Sequence, residues 1–158
     1  MQRHERHLVA YATGLVRDRE RARDFVQESF LRLCREPEEL PNERVAPWLF
    51  KVCRNLCLDE LRKAGRMTTL DTPSAQLESP GPRETEDLDA ALALIERLPA
   101  NQRECIQLKF LHELTYREIA EVTSLSVSNV GYLIHVGLKA VRQGLTEEPV
   151  TLQKGVAR

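Results

Sequence analysis

The chain has 158 residues, 42% of them hydrophobic and 30% charged, and only seven glycines, which favours packed cores and a helix-rich, soluble protein of one or two domains. No apolar run approaches the roughly 20 residues that span a bilayer, and the charged N-terminus leads into no signal-peptide core, so we expect a cytoplasmic protein without membrane insertion. The formal net charge of −1 argues against a strongly autonomous DNA-binding protein, because phosphate neutralisation supplies most non-specific affinity.

The first two helices are predicted from apolar residues that recur every three or four positions. One stripe runs from Leu8 to Val16 and a second runs from Ala22 to Leu33. Asp18 lies between them and is a candidate N-cap, because a short polar side chain there can accept hydrogen bonds from unpaired backbone N–H groups. We therefore predict two helices separated by a turn near Asp18.

A loop and a third helix follow. Pro37 and Pro41 bracket the loop, and Pro47 suits the first turn of a helix, because its missing N–H is not needed there. This helix is predicted to end near Gly65. Residues 44–66 carry six basic side chains against two acidic ones, so we expect the third helix to form the basic surface of the molecule.

Four cysteines, Cys34, Cys53, Cys57 and Cys105, are expected to be reduced thiols in the cytoplasm. Cys53 and Cys57 are four residues apart and would share one face of a helix, where they could bind zinc together with His4 and His7. However, no CxxC or zinc-finger spacing occurs, and thiols are common core residues. We predict core positions, no metal site and no cofactor, with metal or redox sensing as the open alternative.

The middle of the chain has the composition of a linker. Residues 66–85 lack periodicity and contain three prolines and a glycine among Ser, Thr and Glu. Such a segment is too long for an ordinary loop inside a compact domain, so it predicts a domain boundary. Helical spacing resumes over residues 88–98, stops at Pro99, and continues in a helix through Cys105 and Phe110.

The segment Leu114–Leu133 has the spacing of a helix-turn-helix. Thr115 and Glu118 predict a capping box, and Ser126 is a candidate N-cap of a longer second helix. Ala120 and Val130 lie where the two helices would pack together, which would let the second helix project into a major groove. The alternative is a plain helical hairpin in an interaction domain. Since no Lys or Arg occurs between Ser126 and Leu138, the second helix should bind DNA weakly by itself.

Three stretches resemble conserved regions of bacterial RNA polymerase sigma factors. Residues 22–33 (ARDFVQESFLRL) resemble region 2.2, and residues 48–63 (WLFKVCRNLCLDELRK) resemble regions 2.3 and 2.4. Residues 98–103 (LPANQR), followed by the helix-turn-helix, resemble region 4. Their order and spacing are those of the extracytoplasmic-function (group IV) sigma factors of the sigma-70 family, which keep only regions 2 and 4. The resemblance covers roughly residues 5–145.

The resemblance implies an all-α fold with two small helical domains joined by a flexible linker. Region 2 would occupy residues 1–66, the linker 67–85, region 4 residues 86–145 and a tail 146–158. The implied function is a non-enzymatic sigma factor that binds core RNA polymerase and directs promoter recognition and opening; a stand-alone helix-turn-helix regulator is the alternative. The implied partners are core RNA polymerase and promoter DNA. On the polymerase, the implied contacts are the clamp helices of the largest subunit and the flap. An anti-sigma factor is a further possible partner.

The resemblance also assigns three groups of contact residues. The region 2.2 helix docks on core polymerase, which points to Asp24, Gln27, Glu28, Leu31 and Arg32, although a merely solvated face is the alternative. The resemblance assigns −10 element binding to the 37–46 loop and to Trp48, Lys51, Arg54, Asn55, Asp59, Arg62 and Lys63. Trp48 is the ambiguous member, because a tryptophan at a helix start beside apolar residues is more typical of a core anchor than of a stacking platform. It assigns −35 element binding to Thr115, Ser126, Ser128, Asn129, Tyr132, His135 and Lys139.

Overall fold

The computed structural model describes residues 2–36, 38–65 and 86–152, and within these ranges the chain forms helices and no strands. The described helices are α1 (Gln2–Val16), α2 (Arg19–Arg35), α3 (Asn42–Lys63), α4 (Glu86–Glu96), α5 (Ala100–Phe110), α6 (Tyr116–Thr123) and α7 (Val127–Leu152). Helices α1–α3 pack together as the N-terminal module, and α4–α7 pack together as the C-terminal module. The predicted all-α fold with two helical units is confirmed, while the predicted linker 67–85 lies outside the described residues.

The turn between α1 and α2 confirms the predicted N-cap. The chain leaves α1 through Arg17, whose φ of 57° lies in the left-handed region. The Asp18 carboxylate then accepts hydrogen bonds from the backbone N–H groups of Glu20 and Arg21 at 3.0 and 3.2 Å. These bonds satisfy donors that have no partner inside the helix, which is why α2 begins at this point.

Helix α3 begins five residues before the predicted start. It starts at Asn42, directly after Pro41, so Pro47 lies inside the helix and not in its first turn. Residues 42–46, which were predicted to be loop, are therefore helical. A proline inside a helix loses one backbone hydrogen bond. Here Pro47 is buried, and its tertiary context outweighs the local penalty.

The C-terminal module follows the predicted caps. The Glu118 N–H donates to Thr115 Oγ1 at 3.3 Å, and the Thr115 N–H donates to Glu118 Oε2 at 2.7 Å, which completes the capping box of α6. The Asn129 N–H donates to Ser126 Oγ at 3.1 Å at the start of α7. Between the two helices, Ser124 adopts a φ of 59°, the left-handed conformation that turns the chain.

The buried side chains of both modules form one continuous core. Leu8 and Leu49 are fully buried in the N-terminal module, and Ile119 and Val130 are fully buried in the C-terminal module. Helix α6 packs against α3, which joins the modules directly. None of the described helices is long and apolar enough to cross a membrane.

Candidate functional site

The polar face of α2 is exposed as predicted. Asp24, Gln27 and Arg32 are at the surface, and Leu31 keeps 50% of its area exposed. Arg32 Nε donates to Glu28 Oε1 at 2.9 Å, an i,i+4 pair that orders the two charged side chains along the helix. An exposed leucine among ordered charges gives this face both an apolar contact point and polar groups for a partner.

A shallow groove of about 420 Å³ adjoins this face. Phe30, Leu31 and Cys34 of α2 line it together with Glu5 of α1. The sequence did not identify this groove, because its walls come from two helices whose packing angle is set by the tertiary structure. The groove widens the candidate contact surface from a polar stripe to a mixed polar and apolar one.

One exposed face of α3 carries Lys51, Asn55 and Arg62, whose spacing of four and seven residues puts them on the same side of the helix. Arg62 Nη1 lies 3.4 Å from Asp59 Oδ1, so these two side chains form an exposed ion pair. Trp48 belongs to the same side of the helix but is only partly exposed and packs against the core. The structure therefore favours Trp48 as an anchor. Lys63 is exposed near the end of the helix.

Arg54 is turned away from this exposed face and into a buried ion pair. Its Nε donates to Glu104 Oε1 at 2.7 Å and its Nη2 donates to Glu104 Oε2 at 3.2 Å. The Tyr11 hydroxyl donates to the same carboxylate at 2.5 Å. The two charged side chains are only 16% and 11% exposed. In this arrangement Arg54, a predicted −10 contact, is hydrogen-bonded to a residue of the C-terminal module.

The protonation states of this group follow from its surroundings. Burial lowers the pKa of Arg54, but its hydrogen bond to Glu104 and the charge of that carboxylate more than compensate, so its pKa is raised overall. Burial, and then the charge of Glu104, raises the pKa of Tyr11 well above its usual value. The guanidinium therefore stays charged and the phenol stays neutral, as the observed hydrogen bonds require.

His112 makes a second contact between the modules. It lies in the turn between α5 and α6, and its ring centroid is 4.8 Å from that of Phe50, 5.4 Å from that of His7 and 5.9 Å from that of Tyr11. Burial, with a smaller effect of His7, lowers the pKa of His112 to about 4. Its Nδ1 is buried and has no hydrogen-bond partner among the described residues. The neutral imidazole thus packs as an aromatic ring.

The start of α7 presents hydrogen-bonding groups to solvent. All the residues predicted to face the −35 element are exposed: Thr115, Ser126, Ser128, Asn129, Tyr132, His135 and Lys139. Val130 and Ile134 face the opposite way and are buried, which fixes the orientation of the helix. The exposed surface therefore offers hydroxyl, amide and imidazole groups, and the first cation along α7 is Lys139.

The cysteines behave as core residues, apart from exposed Cys34. Cys53 and Cys57 are fully buried; their mutual hydrogen bond lowers the pKa of Cys53 and, together with burial, raises that of Cys57. Burial also raises the pKa of Cys105 to about 11. Among residues 2–36, 38–65 and 86–152, no three or more His, Cys, Asp or Glu side chains are grouped to hold a metal ion.

Comparison with known proteins identifies the family. Two family models match the chain: Sigma-70 region 2 over residues 1–67, and Sigma-70, region 4 over residues 88–141. The ECF RNA polymerase sigma factor SigW of Bacillus subtilis (strain 168) is 30% identical over 143 residues, which are 80% of this chain and 76% of SigW. The chain belongs to the ECF RNA polymerase sigma factors. RNA polymerase sigma factor SigV of the same bacterium is 29% identical over 150 residues, covering 94% of this sigma factor and 90% of SigV.

A solved structure shows the same fold across both modules. The sigma factor RpoE, crystallised with the anti-sigma factor NepR from Bartonella quintana, superimposes with a TM-score of 0.66 and 22% sequence identity. The match covers 91% of this chain and 92% of RpoE. As a sigma factor, the chain acts with RNA polymerase in transcription initiation, and the stand-alone regulator is not favoured. Region 2 corresponds to α1–α3, and region 4 corresponds to the helices of the C-terminal module.

Proposed function

We propose that this sigma factor works through three separate surfaces. The polar face of α2 docks on core polymerase, the exposed face of α3 reads the −10 element, and the N-terminal half of α7 reads the −35 element. The observation that carries the proposal is that these surfaces are exposed and lie on three different helices. One chain can therefore hold the enzyme and two segments of DNA at once.

The face of α2 suits a protein partner. Its charged residues are ordered by the Arg32–Glu28 pair, and Leu31 and the adjoining groove supply apolar area that becomes buried on contact. Protein interfaces typically combine an apolar centre with a polar rim. The clamp helices of the largest polymerase subunit are the proposed partner here, and the polymerase flap is the proposed partner of the C-terminal module.

The face of α3 suits separated DNA strands. The Asn55 amide can pair with the edge of an unstacked base, while Lys51, Arg62 and Lys63 can neutralise the backbone of the single strand. Asp59 holds the guanidinium of Arg62 and so orients it. Arg54 can join this surface only after it separates from Glu104. Residues 42–46 were predicted to contact the −10 element as part of a loop, and we propose that they do so as the N-terminal end of α3.

The face of α7 suits the major groove of duplex DNA. Asn129 can make two hydrogen bonds to adenine, and Ser128, Tyr132 and His135 can contact bases or phosphates. Because the strong Arg–guanine contact has no counterpart before Lys139, these contacts should be individually weak. Their contribution therefore depends on the rest of the complex holding the helix close to the DNA.

The chain is proposed to contribute no bond-making chemistry. Its polar side chains serve as helix caps, ion pairs and exposed contact surfaces, and the carboxylate of Glu104 is neutralised by Arg54. The site of action would be the cytoplasm, where RNA polymerase works. An anti-sigma factor is a further candidate partner, since RpoE, which has the same fold, binds NepR.

The test is to mix the purified chain with core RNA polymerase and to measure complex formation and run-off transcription. In the variant Asp24→Lys, Glu28→Lys, we expect binding to fall at least about tenfold, because charge complementarity is reversed at a contact surface. The control Asp87→Lys, Glu147→Lys changes the net charge equally at exposed positions outside α2 and should bind normally. Normal binding by the well-folded α2 variant would contradict the docking face; no complex with the unmodified chain would contradict the whole proposal.

A further inference from the structure

Three arginines line an open groove on the N-terminal module. The groove lies between α1 and α2 and has a volume of about 460 Å³. Arg6 belongs to the wall formed by α1, and Arg19 and Arg23 belong to the wall formed by α2. Val9 and Ala10 of α1 add apolar surface to the lining. We call this feature the arginine groove.

The charges of these three arginines are not compensated within the fold. Their side chains are exposed, and in residues 2–36, 38–65 and 86–152 none of the three is in an ion pair or a side-chain hydrogen bond. Arg21, which lies between Arg19 and Arg23 in the sequence, behaves differently. Its guanidinium pairs with Glu60 of α3 and lies 3.9 Å from Asp18. The arginine of the same turn that points away from the groove thus supports the fold, whereas the groove arginines do not.

Arg19 and Arg23 carry charges that are unfavourable for α2 itself. They are four residues apart, so two like charges are neighbours on the helix surface and repel each other. Both also lie close to the N-terminus of α2, which is the positive end of the helix dipole. Helix stability therefore does not explain these two charges, whereas an anion bound in the groove would remove the repulsion between them.

The lining of the arginine groove suits a nucleotide with several phosphates. A guanidinium is a planar fork of N–H donors that matches two oxygens of a phosphate, and three such groups can compensate the charge of a di- or triphosphate. Guanidinium planes also stack on aromatic rings, and Val9 and Ala10 offer apolar contact to a base. The volume of the groove lies within the range of about 300–1,000 Å³ that is typical of small-molecule sites.

Carboxylates at both ends of the arginine groove favour a short ligand. Glu5 lines the groove at the end farthest from the turn between α1 and α2, and Asp18 lies in that turn. A nucleic-acid strand running through the groove would bring further phosphates towards these carboxylates and would be repelled. A single nucleotide can place its phosphates on the arginines without approaching either end.

We infer that the arginine groove is a binding site for a nucleoside polyphosphate, whose phosphates are held by Arg6, Arg19 and Arg23. The inference does not rest on the proposed docking and promoter contacts, because no residue that lines the groove belongs to those surfaces. Glu5 also lines the groove beside Leu31. The bound nucleotide therefore lies next to the face of α2 that is proposed to dock on polymerase.

The first experiment measures binding to the full-length chain by isothermal titration calorimetry. The probes are ATP, AMP and inorganic tripolyphosphate, without added magnesium, so that the phosphates keep their full charge. We expect saturable binding of ATP, and at least about tenfold weaker binding of AMP, because AMP leaves guanidinium groups without a charge-assisted hydrogen bond. Tripolyphosphate should bind at least about threefold more weakly than ATP, because it lacks apolar contact with Val9 and Ala10. No saturable binding of ATP, or equal affinity for ATP and tripolyphosphate, would overturn the inference.

The second experiment compares two double variants that remove the same charge. Arg19→Gln, Arg23→Gln should bind ATP at least about tenfold more weakly than the unmodified chain. Arg117→Gln, Arg142→Gln, at exposed positions of the C-terminal module, should bind ATP normally. Without nucleotide, thermal unfolding of the groove variant should show no loss of stability, because a repulsion between like charges has been removed. Equal affinity of the two variants for ATP would show that these arginines hold no phosphate.

The third experiment locates the ligand by two-dimensional NMR of the isotope-labelled full-length chain. We expect ATP to shift the backbone amides of residues 6–13 and 19–23, with the same concentration dependence as the calorimetric binding, and to leave residues 51–63 of α3 unchanged. Shifts confined to α3 would assign the binding to a different basic surface. Larger shifts at the groove with oligothymidylate or a poly-glutamate peptide than with ATP would overturn the inference in favour of a nucleic-acid strand or an acidic protein segment.

Discussion

Arg54 and Asn55 are neighbours in α3 that do different work. Successive residues of a helix point about 100° apart, so one of the two faces α5 while the other faces solvent. Arg54 is held by Glu104 and Tyr11, whereas Asn55 is exposed beside Lys51. In this structure the amide is thus exposed, whereas the guanidinium is held by Glu104.

Asn55→Ala should change the preference of the holoenzyme at one or two positions of the −10 element. The substitution removes the proposed base-edge contact, for which roughly 1–3 kcal/mol is expected, and it changes only an exposed side chain. Lys63→Ala is the matched control: it removes a charge near the backbone and should weaken all promoters alike, with a smaller salt dependence. Selection over promoters with a randomised −10 element measures both, and an unaltered preference in Asn55→Ala would remove its base-reading role.

His112 should make the stability of the chain depend on pH. Its pKa of about 4 in the folded chain lies below the value of about 6.5 expected in the unfolded chain. Between these values the unfolded chain binds a proton that the folded chain does not, so stability falls as pH drops through this window and levels off below it. The titratable groups that face His112 are His7 and Tyr11 of α1, while Phe50 of α3 carries no charge.

Denaturant unfolding at pH 7.5 and pH 5 measures this effect. We expect the free energy of unfolding to be roughly 1–2 kcal/mol lower at pH 5, with most of this difference absent in His112→Phe, which keeps the aromatic packing. The same pH dependence in His112→Phe would assign the effect to other groups.

Helix α7 has a glycine at its close approach to α5 and to the turn that precedes α5. A Cβ added at Gly137 would lie 2.6 Å from Ile106 Cδ1 and 3.3 Å from Leu98 Cδ1. Six residues earlier, a Cβ at Gly131 would meet its nearest neighbour, the Tyr116 ring, at 3.6 Å, which is ordinary van der Waals contact. The two glycines therefore differ in the space available for a side chain, although both lie in the same helix.

Gly137→Ala should destabilise the chain by roughly 1–3 kcal/mol, because an extra methyl group overpacks the contact between helices. Gly131→Ala should stabilise it by up to about 1 kcal/mol, because alanine favours helix where space allows. Denaturant unfolding of the two variants compares the same chemical change in one helix. A neutral result for Gly137→Ala would mean that α7 can shift without cost.

The helices and their caps could be predicted from local sequence signals. Asp18, Thr115 with Glu118, and Ser126 all cap as expected, because capping involves side chains and backbone groups within three residues. The start of α3 was predicted wrongly, because Pro47 was judged by its local effect, whereas it is a buried residue inside the helix and its burial depends on tertiary packing. Rules based on local sequence give the wrong helix start here, because tertiary packing determines where α3 begins.

At the scale of the whole molecule, the contact between the modules could not be predicted. Its decisive hydrogen bonds join Arg54 to Glu104, 50 residues away, and Tyr11 to the same residue, 93 residues away. In the sequence, Glu104 is one acidic residue among many, and His112 belongs to no motif that would distinguish it from other histidines. Only the folded chain shows that both belong to one surface between region 2 and region 4.

If α7 reads the −35 element as proposed, its non-basic start implies that this recognition depends on the assembled holoenzyme. Residues 86–145 carry eight acidic against six basic side chains, so this region gains little from phosphate neutralisation. Once α2 and the polymerase flap hold the chain on the enzyme, α7 meets the DNA at an effective concentration that reaches the millimolar range. We therefore expect weak contacts from Ser128, Asn129 and Tyr132, the proposed −35 contacts, to suffice for discrimination.

The full chain without polymerase should therefore show no measurable specific binding to a promoter duplex at physiological salt, whereas the holoenzyme should show a clear −35 preference. Asn129→Ala should reduce that preference by roughly 1–3 kcal/mol, the value of one bidentate base contact, without changing affinity for core polymerase. Competition between promoters with matched and altered −35 elements measures the preference, and Glu147→Ala, beyond the DNA-facing residues of α7, is the control. Tight, sequence-specific binding by the chain without polymerase would contradict this dependence, because it would show that α7 needs no tether to read DNA.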